Sequence, residues 1–361
     1  MLIAPPLSLY IHIPWCVEKC PYCDFNSHAL KHAIPEQDYI SQLLVDLDSD
    51  IARFNLQQRP LHSIFIGGGT PSLFSAPAIE QLLTQILQRF EHKADIEITL
   101  EANPGTVEAE KFIGFFNGGV SRLSIGVQSF ANLASECGVK SFNLDLMHGL
   151  PEQTVAHALD DLKTAISLNP SHISWYQLTI EPNTAFHSRP PKLPQDEVLW
   201  NIQDQGIALL NQAGYQQYEI SAYSKPEFQC QHNLNYWQFG DYLGIGCGAH
   251  GKITDVTKKI IHRTVKVKHP KGYLDTNRVA LDKLHTVTAE ELPFEYMMNR
   301  LRLFSGFSLD EYQAYTGLNT DSVLPTLLKA QDKGLMEFDG TLWSVSQLGH
   351  RYLNDLLEMF L

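Results

Sequence analysis

The sequence predicts an α/β fold, a full or partial (βα) barrel followed by a small helical domain. Strands that alternate with helices form parallel βαβ units, and six or seven such units in succession favour a barrel over a sandwich. Cysteines, glycines and carboxylates recur at or near the carboxyl ends of the predicted strands, on the rim where barrel enzymes build their sites. The chain has 361 residues, of which 44% are hydrophobic, which suffices for one large domain and a small one.

The predicted elements alternate regularly after an initial apolar strand at 9–13. Apolar residues recur every three or four positions in the helices, whereas the strands are short and nearly continuous apolar runs. The helices are predicted at 35–54, 76–90, 107–116, 156–168 and 198–213, and the later strands at 61–66, 96–100, 123–127, 142–146, 173–180 and 215–220. We expect parallel pairing of neighbouring strands, so that their carboxyl ends share one rim.

One crossover is too short for this pattern. Only the eleven residues of the 130–140 interval separate Ser129 from Ser141, whereas a parallel crossover needs about a dozen residues or more and normally a helix. Either the protein has lost a crossover helix or the sequence omits a disordered segment. We favour an omitted segment, because both flanking strands keep their pattern.

The last part of the chain is typical of a small winged-helix-like domain. Short helices are predicted at 309–315 and 323–330, followed by a two-stranded wing at 335–345 that turns at Asp339 and Gly340. The second helix offers only Lys329 and Lys333 as basic residues, so DNA recognition is not expected, and packing against the barrel or a partner is expected instead.

These patterns divide the chain into three parts. We expect a barrel over residues 1–225, a linker segment over 226–290 and the winged-helix-like domain over 291–361. Within the middle part, residues 252–271 carry seven Lys and Arg with little apolar periodicity. Such a charge run predicts a solvated hairpin or loop.

Composition narrows the class of protein. A net charge of -13 argues against a nucleic-acid partner, because phosphate binding requires clustered Lys and Arg. The sequence contains no apolar run of about 18 residues, which a membrane-spanning helix would need. Its first residues also lack the basic region and following apolar core that are typical of a signal peptide. The spacing of Cys137, Cys230 and Cys247 does not indicate disulfide bonds, as is usual for proteins of a reducing compartment. We therefore expect a cytoplasmic protein.

Three cysteines follow the first strand on one short loop. Cys16, Cys20 and Cys23 have C-x3-C-x2-C spacing, and their thiolates are soft ligands suited to iron–sulfur clusters and zinc. A cubane cluster held by three thiolates keeps one iron open for a small molecule. The alternative is a structural zinc site completed by His12 or His28.

This spacing resembles that of the radical S-adenosylmethionine (SAM) superfamily. The flanking Tyr-Ile-His-Ile-Pro-Trp-Cys and Cys-Pro-Tyr-Cys-Asp-Phe-Asn are similar to the branch of oxygen-independent coproporphyrinogen III dehydrogenases and HemW-type haem chaperones. The resemblance implies a partial (βα) barrel of the radical SAM type. It also implies a [4Fe-4S] cluster on Cys16, Cys20 and Cys23, with SAM filling the open iron site.

The residues themselves are compatible with a SAM site on the barrel rim. Glycines 67 to 69 allow close approach of backbone to a ligand. Glu101, Gln128 and Asp145 offer acceptors for an ammonium group and a ribose diol, although each alone is as typical of a rim hydrogen bond. The resemblance implies SAM contacts at Tyr10, Tyr22, Gly68, Gly69, Thr70, Glu101, Gln128 and Asp145.

Two features separate the chaperones from the dehydrogenases within this branch. The dehydrogenases carry a longer segment before the cysteine loop and a further Cys where this chain has Phe25. The chaperones carry an H-N-x-x-Y-W motif, which matches His232, Asn233, Tyr236 and Trp237. The resemblance implies that these four residues bind haem with His232 as axial ligand, while a lone buried His held by hydrogen bonds is the alternative.

The expected function is that of a haem chaperone that uses a [4Fe-4S] cluster and SAM. The alternative is a coproporphyrinogen III dehydrogenase that performs oxidative decarboxylation in haem synthesis, an activity that we do not expect here. The implied partners are haem and haem-accepting proteins, membrane-bound ones included. A homodimer is compatible with the resemblance, and a nucleic acid is not expected.

Overall fold

The computed structural model describes residues 2–103, 109–126 and 141–361, within which twelve strands form one sheet. Gln128 and the 130–140 interval lie outside the described residues. The strands are β1 (Leu7–Ile13), β2 (Trp15–Cys16), β3 (His28–Ala29), β4 (Leu61–Gly68), β5 (His92–Ala102), β6 (Arg122–Gly126), β7 (Phe142–His148), β8 (His172–Gln177), β9 (Gln216–Glu219), β10 (Ala222–Ser224), β11 (Asp241–Gly246), β12 (His250–Asp255), β13 (Ile260–Lys266), β14 (Leu281–Val287), β15 (Met336–Phe338) and β16 (Trp343–Val345). The order in the large sheet is β14-β13-β12-β11-β1-β4-β5-β6-β7-β8-β10-β9.

Helices connect the strands as the sequence predicts. They are α1 (Glu36–Phe54), α2 (Ala76–Leu87), α3 (Ala109–Asn117), α4 (Val155–Ser167), α5 (Ala185–Ser188), α6 (Asp196–Gln212), α7 (Gln231–Trp237), α8 (Pro270–Tyr273), α9 (Leu292–Arg300), α10 (Leu309–Thr316), α11 (Leu324–Asp332), α12 (Gln347–Arg351) and α13 (Leu353–Glu358). In α1, Ile40, Leu43 and Leu47 recur at helical spacing and are fully buried. This face packs into the same core as the apolar side of the sheet.

The centre of the sheet confirms the predicted parallel βαβ architecture. Strands β1 and β4 to β8 lie side by side in chain order and run parallel, and β11 pairs in parallel with the other edge of β1. Successive side chains in a strand point to opposite faces. In β1, Leu9 and Ile11 join the helix-covered core, whereas Ser8 and Tyr10 face the inner side of the partial barrel.

The end of the sheet beyond β8 differs from the prediction of another parallel unit. The chain turns back directly after β9, and the returning strand β10 inserts between β8 and β9, antiparallel to both. The predicted strand at 215–220 therefore exists, but it pairs with β10 and not with β8. A tight reversal of this kind leaves no sequence periodicity that distinguishes it from the end of a βαβ unit.

The charge run at 252–271 is a hairpin, as the sequence predicts, and Lys258, Lys259, Lys268 and Lys271 are exposed, but two of its lysines are buried. It forms the hairpin of β12 and β13 within the large sheet, and the side chains of Lys252 and Lys266 are each 1% exposed. The Lys252 ammonium donates to Asp241 at 3.0 Å, and the Lys266 ammonium donates to Asp46 and Asp50 at 2.5 and 2.7 Å. These carboxylates lie on distant elements, so the charge pattern alone could not reveal the burial.

The C-terminal part confirms the expected short helices and two-stranded wing. Helices α10 and α11 precede the antiparallel pair of β15 and β16, and these elements share a second hydrophobic core. The guanidinium of Arg302 connects this part to the barrel, since it donates to Glu219 at 3.2 Å and lies 4.2 Å from the Trp237 ring centroid. The division at residues 225 and 290 stays a prediction, and β11 to β14 belong to the barrel's own sheet.

Among the described residues, no helix has the length and apolar character needed to span a membrane.

Candidate functional site

The cysteine loop follows β1 and is held at its base by backbone hydrogen bonds. The N–H of His28 donates to the carbonyl of Pro14 at 2.7 Å, and the N–H of Leu30 donates to that of Cys16 at 2.9 Å, which forms the β2–β3 pair. From the end of β4, Gly69 and Thr70 donate to the carbonyls of Ile13 and Trp15, both at 2.7 Å. The loop therefore leaves the sheet from a fixed base.

The glycines at the end of β4 make close contacts within the protein. A Cβ on Gly69 would lie 2.5 Å from the carbonyl oxygen of Trp15, so only glycine permits this approach. The N–H of Gly68 donates to the Glu101 carboxylate at 3.0 Å. The backbone N–H groups of Gly68, Gly69 and Thr70 are thus used within the protein, where they seat the loop and hold Glu101. Their contact with SAM stays a prediction.

The three loop thiols lie near one another on the accessible side of the loop. Cys16 and Cys23 are half-buried and Cys20 is exposed. Burial raises the pKa of the Cys16 thiol, and the neighbouring Cys23 and Cys20 raise it further. In the parts of the chain that the structure describes, no three His, Cys, Asp or Glu side chains converge on one point where a metal ion could sit.

The donor set of the loop nevertheless fits an iron–sulfur cluster better than a single ion. A cubane presents separate irons at its corners, so its three thiolates face different corners and need not meet at one point. Three soft sulfur donors on one loop are the donor type that such a cluster takes. The neighbouring Tyr22 lies with its ring centroid 6.3 Å from that of Phe186, and burial followed by the nearby Cys20 raises its pKa to about 12.

Two predicted SAM residues, Tyr10 and Asp145, lie in the middle of their strands and not at the ends. Both are half-buried, and both strands continue pairing for three residues beyond them, to Ile13 and His148. Their side chains therefore project into the barrel below the rim. Sequence patterns place strand ends poorly, because the apolar run stops before the hydrogen-bonded ladder does.

The carboxylates inside the barrel have contrasting partners. Asp145 accepts from the Ser124 hydroxyl and the Asn143 amide, both at 2.8 Å. Glu101 accepts from the Gly68 N–H, and burial raises its pKa to about 7, with the charge of Asp145 as a second cause. Glu101 is thus poised to gain from a nearby cation, whereas Asp145 is already held by donors.

Sequence reasoning missed several polar residues on this inner face. Asn143 lies two positions before Asp145, and its side-chain oxygen contacts His172 Nδ1 at 2.6 Å and accepts from Ser174 at 3.1 Å. The other His172 nitrogen contacts the Tyr218 hydroxyl at 2.8 Å. Side chains two positions apart in a strand point to the same face of the sheet. Asn143 could therefore have been predicted to point inward, because Asp145 was predicted to do so.

A cavity of about 530 Å³ opens beside the cysteine loop and is lined by residues of two predicted sites. Tyr10 of the SAM set and Tyr236 of the haem set line it together with residues 24–28 of the cysteine loop. Lys19, Lys268 and His250 add positive or titratable groups to the same wall. The volume lies within the roughly 300–1,000 Å³ typical of small-molecule and cofactor sites.

The haem motif lies on a short helix, and its four residues have different surroundings. It forms helix α7, which closes the inner side of the sheet near the amino end of β1. His232 is 3% exposed, its Nδ1 lies 3.1 Å from the Ser63 hydroxyl, and its Nε2 is enclosed without a hydrogen-bond partner among the described residues. Burial lowers the pKa of His232 to about 3.

The other motif residues also differ in their surroundings. Tyr236 faces the cavity and stacks on Tyr242 with ring centroids 4.0 Å apart. Trp237 packs below Arg302 at the join with the C-terminal part, and Asn233 is half-buried. Of the four predicted haem residues, the structure brings Tyr236 alone to the wall of this cavity.

Family comparisons agree with this architecture. The family model of the Radical SAM superfamily matches residues 10–166, and that of the HemN C-terminal domain matches residues 287–352. The solved structure of coproporphyrinogen III oxidase (HemN) from Escherichia coli has a TM-score of 0.81 and 24% identity, over 99% of this chain and 90% of that one. A likeness at this identity shows the fold.

Curated relatives align over essentially the full length of the chain. The protein named "Heme chaperone HemW" of Haemophilus influenzae is 56% identical over 99% of this chain and 98% of its own length. The Escherichia coli protein of the same name is 54% identical over the whole of both, and that of Bacillus subtilis is 33% identical over 98% and 99%. The chain therefore belongs to the radical SAM superfamily and, within it, to the HemW family of haem chaperones.

Proposed function

We propose that this protein is a haem chaperone that holds a [4Fe-4S] cluster, binds SAM inside the barrel and delivers haem to haem proteins. Its relatives carry the name of such a chaperone, and membership of the superfamily implies the cluster and SAM. The observation that carries the proposal is the cavity in which Tyr10, Tyr236 and the cysteine loop meet. A cargo in this cavity would touch Tyr10 of the predicted SAM set and Tyr236 of the predicted haem set, beside the loop that carries the three cysteines.

Cys16, Cys20 and Cys23 would hold the cluster. Such a cluster, when bound, supplies single electrons and an iron corner open to a small ligand. The chain's own contribution is the fixed base of the loop, where Gly69 and Thr70 of the β4 end hold the carbonyls of Ile13 and Trp15. A base tied to two strands limits how far the thiols move when the ligand changes.

Glu101 and Asp145 would bind the polar groups of SAM. An ammonium group beside Glu101 favours the ionised carboxylate and offsets the burial that raises the Glu101 pKa. Asp145, held by Ser124 and Asn143, keeps a fixed orientation towards a hydroxyl donor. Tyr10, whose hydroxyl lies 2.9 Å from His12 Nδ1, lines the neighbouring cavity.

Haem would occupy the cavity beside the cysteine loop. Tyr10 and Tyr236 provide aromatic surface for the macrocycle, and Lys19 and Lys268 provide positive charge for its carboxylates. Phe25, which is 61% exposed at this cavity, stands where the dehydrogenases carry a further Cys. Because Phe25 replaces this Cys, we expect the protein to carry haem and not to decarboxylate coproporphyrinogen III.

The test compares cargo binding with catalysis on one preparation. Full-length protein with an anaerobically reconstituted cluster is titrated with ferric haem, and its transfer to an apo-globin is followed by absorbance. The same preparation is supplied with reductant, SAM and coproporphyrinogen III. We expect one haem per chain, transfer to the globin and no protoporphyrinogen. Robust decarboxylation without stoichiometric haem binding would instead identify a dehydrogenase.

A further inference from the structure

The cysteine loop has a further attachment to the sheet through the side chain of Asn26, a residue that no predicted site includes. The Asn26 amide nitrogen donates to the carbonyl of Cys247 at 2.9 Å and to that of Lys268 at 2.8 Å, and it lies 3.6 Å from the Cys247 sulfur. Cys247 belongs to the turn between β11 and β12, and Lys268 follows β13. Both partners are more than 200 residues away in sequence, so no local pattern indicates the contact.

The turn between β11 and β12 leaves space for this amide because it contains Gly248. The φ of Gly248 is +75°, and a Cβ at this position would lie 2.3 Å from the Asn26 amide nitrogen, so only glycine permits the approach. The Gly248 N–H donates to the carbonyl of Val267 at 2.9 Å, which joins the turn to the segment that carries Lys268. The two carbonyls that accept from Asn26 therefore belong to one hydrogen-bonded unit.

The backbone of Asn26 has a fixed partner as well. Its carbonyl oxygen lies 2.9 Å from Nε2 of His12, a residue of β1. The other ring nitrogen of His12 lies 2.9 Å from the Tyr10 hydroxyl, so the imidazole is held at both nitrogens. Asn26 thus connects the strand that precedes the cysteine loop with the turn between β11 and β12.

These contacts attach the loop to both neighbours of β1 in the sheet, which are β4 and β11. On the β4 side, the attachment consists of the backbone N–H groups of Gly69 and Thr70. On the β11 side, it is the side chain of Asn26, three positions after Cys23. Without the Asn26 amide, the end of the loop that follows Cys23 would lose its attachment to the turn after β11.

We propose that Asn26 is a positioning residue for the iron–sulfur cluster, because its amide fixes the end of the cysteine loop against the turn between β11 and β12. Three thiolates on one cubane must keep set separations, and residues that hold the ligands in place help to retain a metal centre. A loop that is attached on both sides should therefore release iron more slowly than one attached on a single side. The inference rests on the proposed function, because it concerns the cluster named there.

The decisive experiment measures iron release to a chelator from full-length protein with an anaerobically reconstituted cluster. Asn26→Asp keeps the shape of the side chain but replaces the donor with an oxygen that cannot donate to the two carbonyls. It should release iron about tenfold faster than wild type, or faster still. Asn211→Asp makes the same exchange on the exposed surface of α6 and should release iron at the wild-type rate.

A second pair of variants tests the contact from its other partner. Gly248→Ala places a methyl group against the Asn26 amide and should also accelerate iron release. The control Gly214→Ala shares the positive φ, +86°, but its Cβ would meet no described atom within 4 Å, and it should not accelerate release. The double variant of Asn26→Ala and Gly248→Ala lacks the clashing amide and should release iron no faster than Asn26→Ala alone. Independent effects would multiply instead, and this would count against the proposed contact.

A spectroscopic measurement separates positioning from a general loss of stability. EPR spectra of the reduced cluster are recorded with and without SAM, and urea unfolding is measured on the cluster-free chain. We expect Asn26→Ala to change the g values of the cluster, because its thiolates are held differently. A purely structural role would lower the free energy of unfolding and leave both the g values and their response to SAM as in wild type, which would overturn the inference.

The outcomes distinguish this inference from the proposed function. If wild type carries about four irons and both Asn26→Asp and Gly248→Ala match its release rate, the inference is overturned while the cluster stands. If wild type carries no iron after reconstitution, the proposed function fails and the inference with it. Should Asn26→Asp not fold, Asn26→Ala and Gly248→Ala carry the same test, because neither adds a charge.

Discussion

The cysteine loop and helix α7 lie near opposite ends of β1, and their side chains have opposite surroundings. The loop is fixed at its base by backbone hydrogen bonds, while Cys20 and Phe25 are exposed. In α7, His232 and Asn235 are buried and bonded to the inner face of the barrel. A motif whose side chains stay accessible suits ligand binding, whereas one whose polar atoms are used internally suits the fold.

The difference follows from the chemistry of the side chains in the two motifs. Thiols are weak hydrogen-bond partners, so a loop with three of them gains little from folding them inward. An amide or imidazole side chain can bond to other inner polar groups, as Asn235 does with Ser8 and His232 with Ser63. The following predictions test whether the loop is functional and the helix largely structural.

The largest expected effect is on the loop. Replacing any one of Cys16, Cys20 or Cys23 with Ala should abolish the cluster, because two thiolates cannot hold a cubane. Wild type reconstituted without oxygen should carry about four irons per chain with broad absorption at roughly 400 nm. Cys230→Ala, at a buried cysteine remote from the loop, is the control and should retain iron. Stoichiometric zinc without iron in wild type would show that the loop is a structural zinc site.

The second prediction tests whether the buried polar side chains of α7 stabilise the fold. The Asn235 amide donates to the Ser8 hydroxyl and to the Asp241 carbonyl, both at 2.9 Å. Asn235→Ala removes this donor from the buried Asp241 carbonyl, while Ser8 keeps its contact with the Ser63 hydroxyl, and it should lower the free energy of unfolding by about 1–3 kcal/mol. The control Asn233→Ala removes a half-buried amide of the same helix and should cost less than about 1 kcal/mol. Urea unfolding measures the free energy of unfolding of both variants. An equal loss in the two would show that the buried side of α7, which carries Asn235, does not hold the helix in place.

A third effect concerns the inner face between the two regions. Glu101→Ala or Asp145→Ala should weaken SAM binding by about 1–3 kcal/mol each, the cost of leaving a buried polar partner unmatched. Cluster content should be unchanged, because neither residue belongs to the loop. Calorimetric titration with SAM measures the loss, and Glu80→Ala at an exposed carboxylate is the control. Unchanged affinity in both inner variants would make these carboxylates structural.

Much of this arrangement was predictable because it depends on local patterns. Periodicity predicted the strands and helices of the parallel sheet, and cysteine spacing predicted the loop. The burial of Lys266 was not predictable, because its partner Asp46 is 220 residues away in sequence. The enclosure of His232 depends likewise on Ser63, 169 residues away. Patterns along the chain predict elements, whereas long-range polar contacts decide which motif side chains stay accessible.

The smallest expected effect tests the charge state of Glu101. Burial raises its folded-state pKa to about 7, so between about pH 4.5 and 7 the folded protein binds a proton that the unfolded chain releases. Its contribution to stability is therefore present at low pH and is lost as pH rises through 7. Glu101→Gln keeps the shape but removes the charge, and should stabilise the SAM-free protein by about 1–2 kcal/mol at pH 8 relative to pH 5. Urea unfolding at the two pH values, with Glu80→Gln as control, measures this difference. A stability gain that is equal at both pH values would mean that Glu101 is already ionised in the folded protein at pH 5.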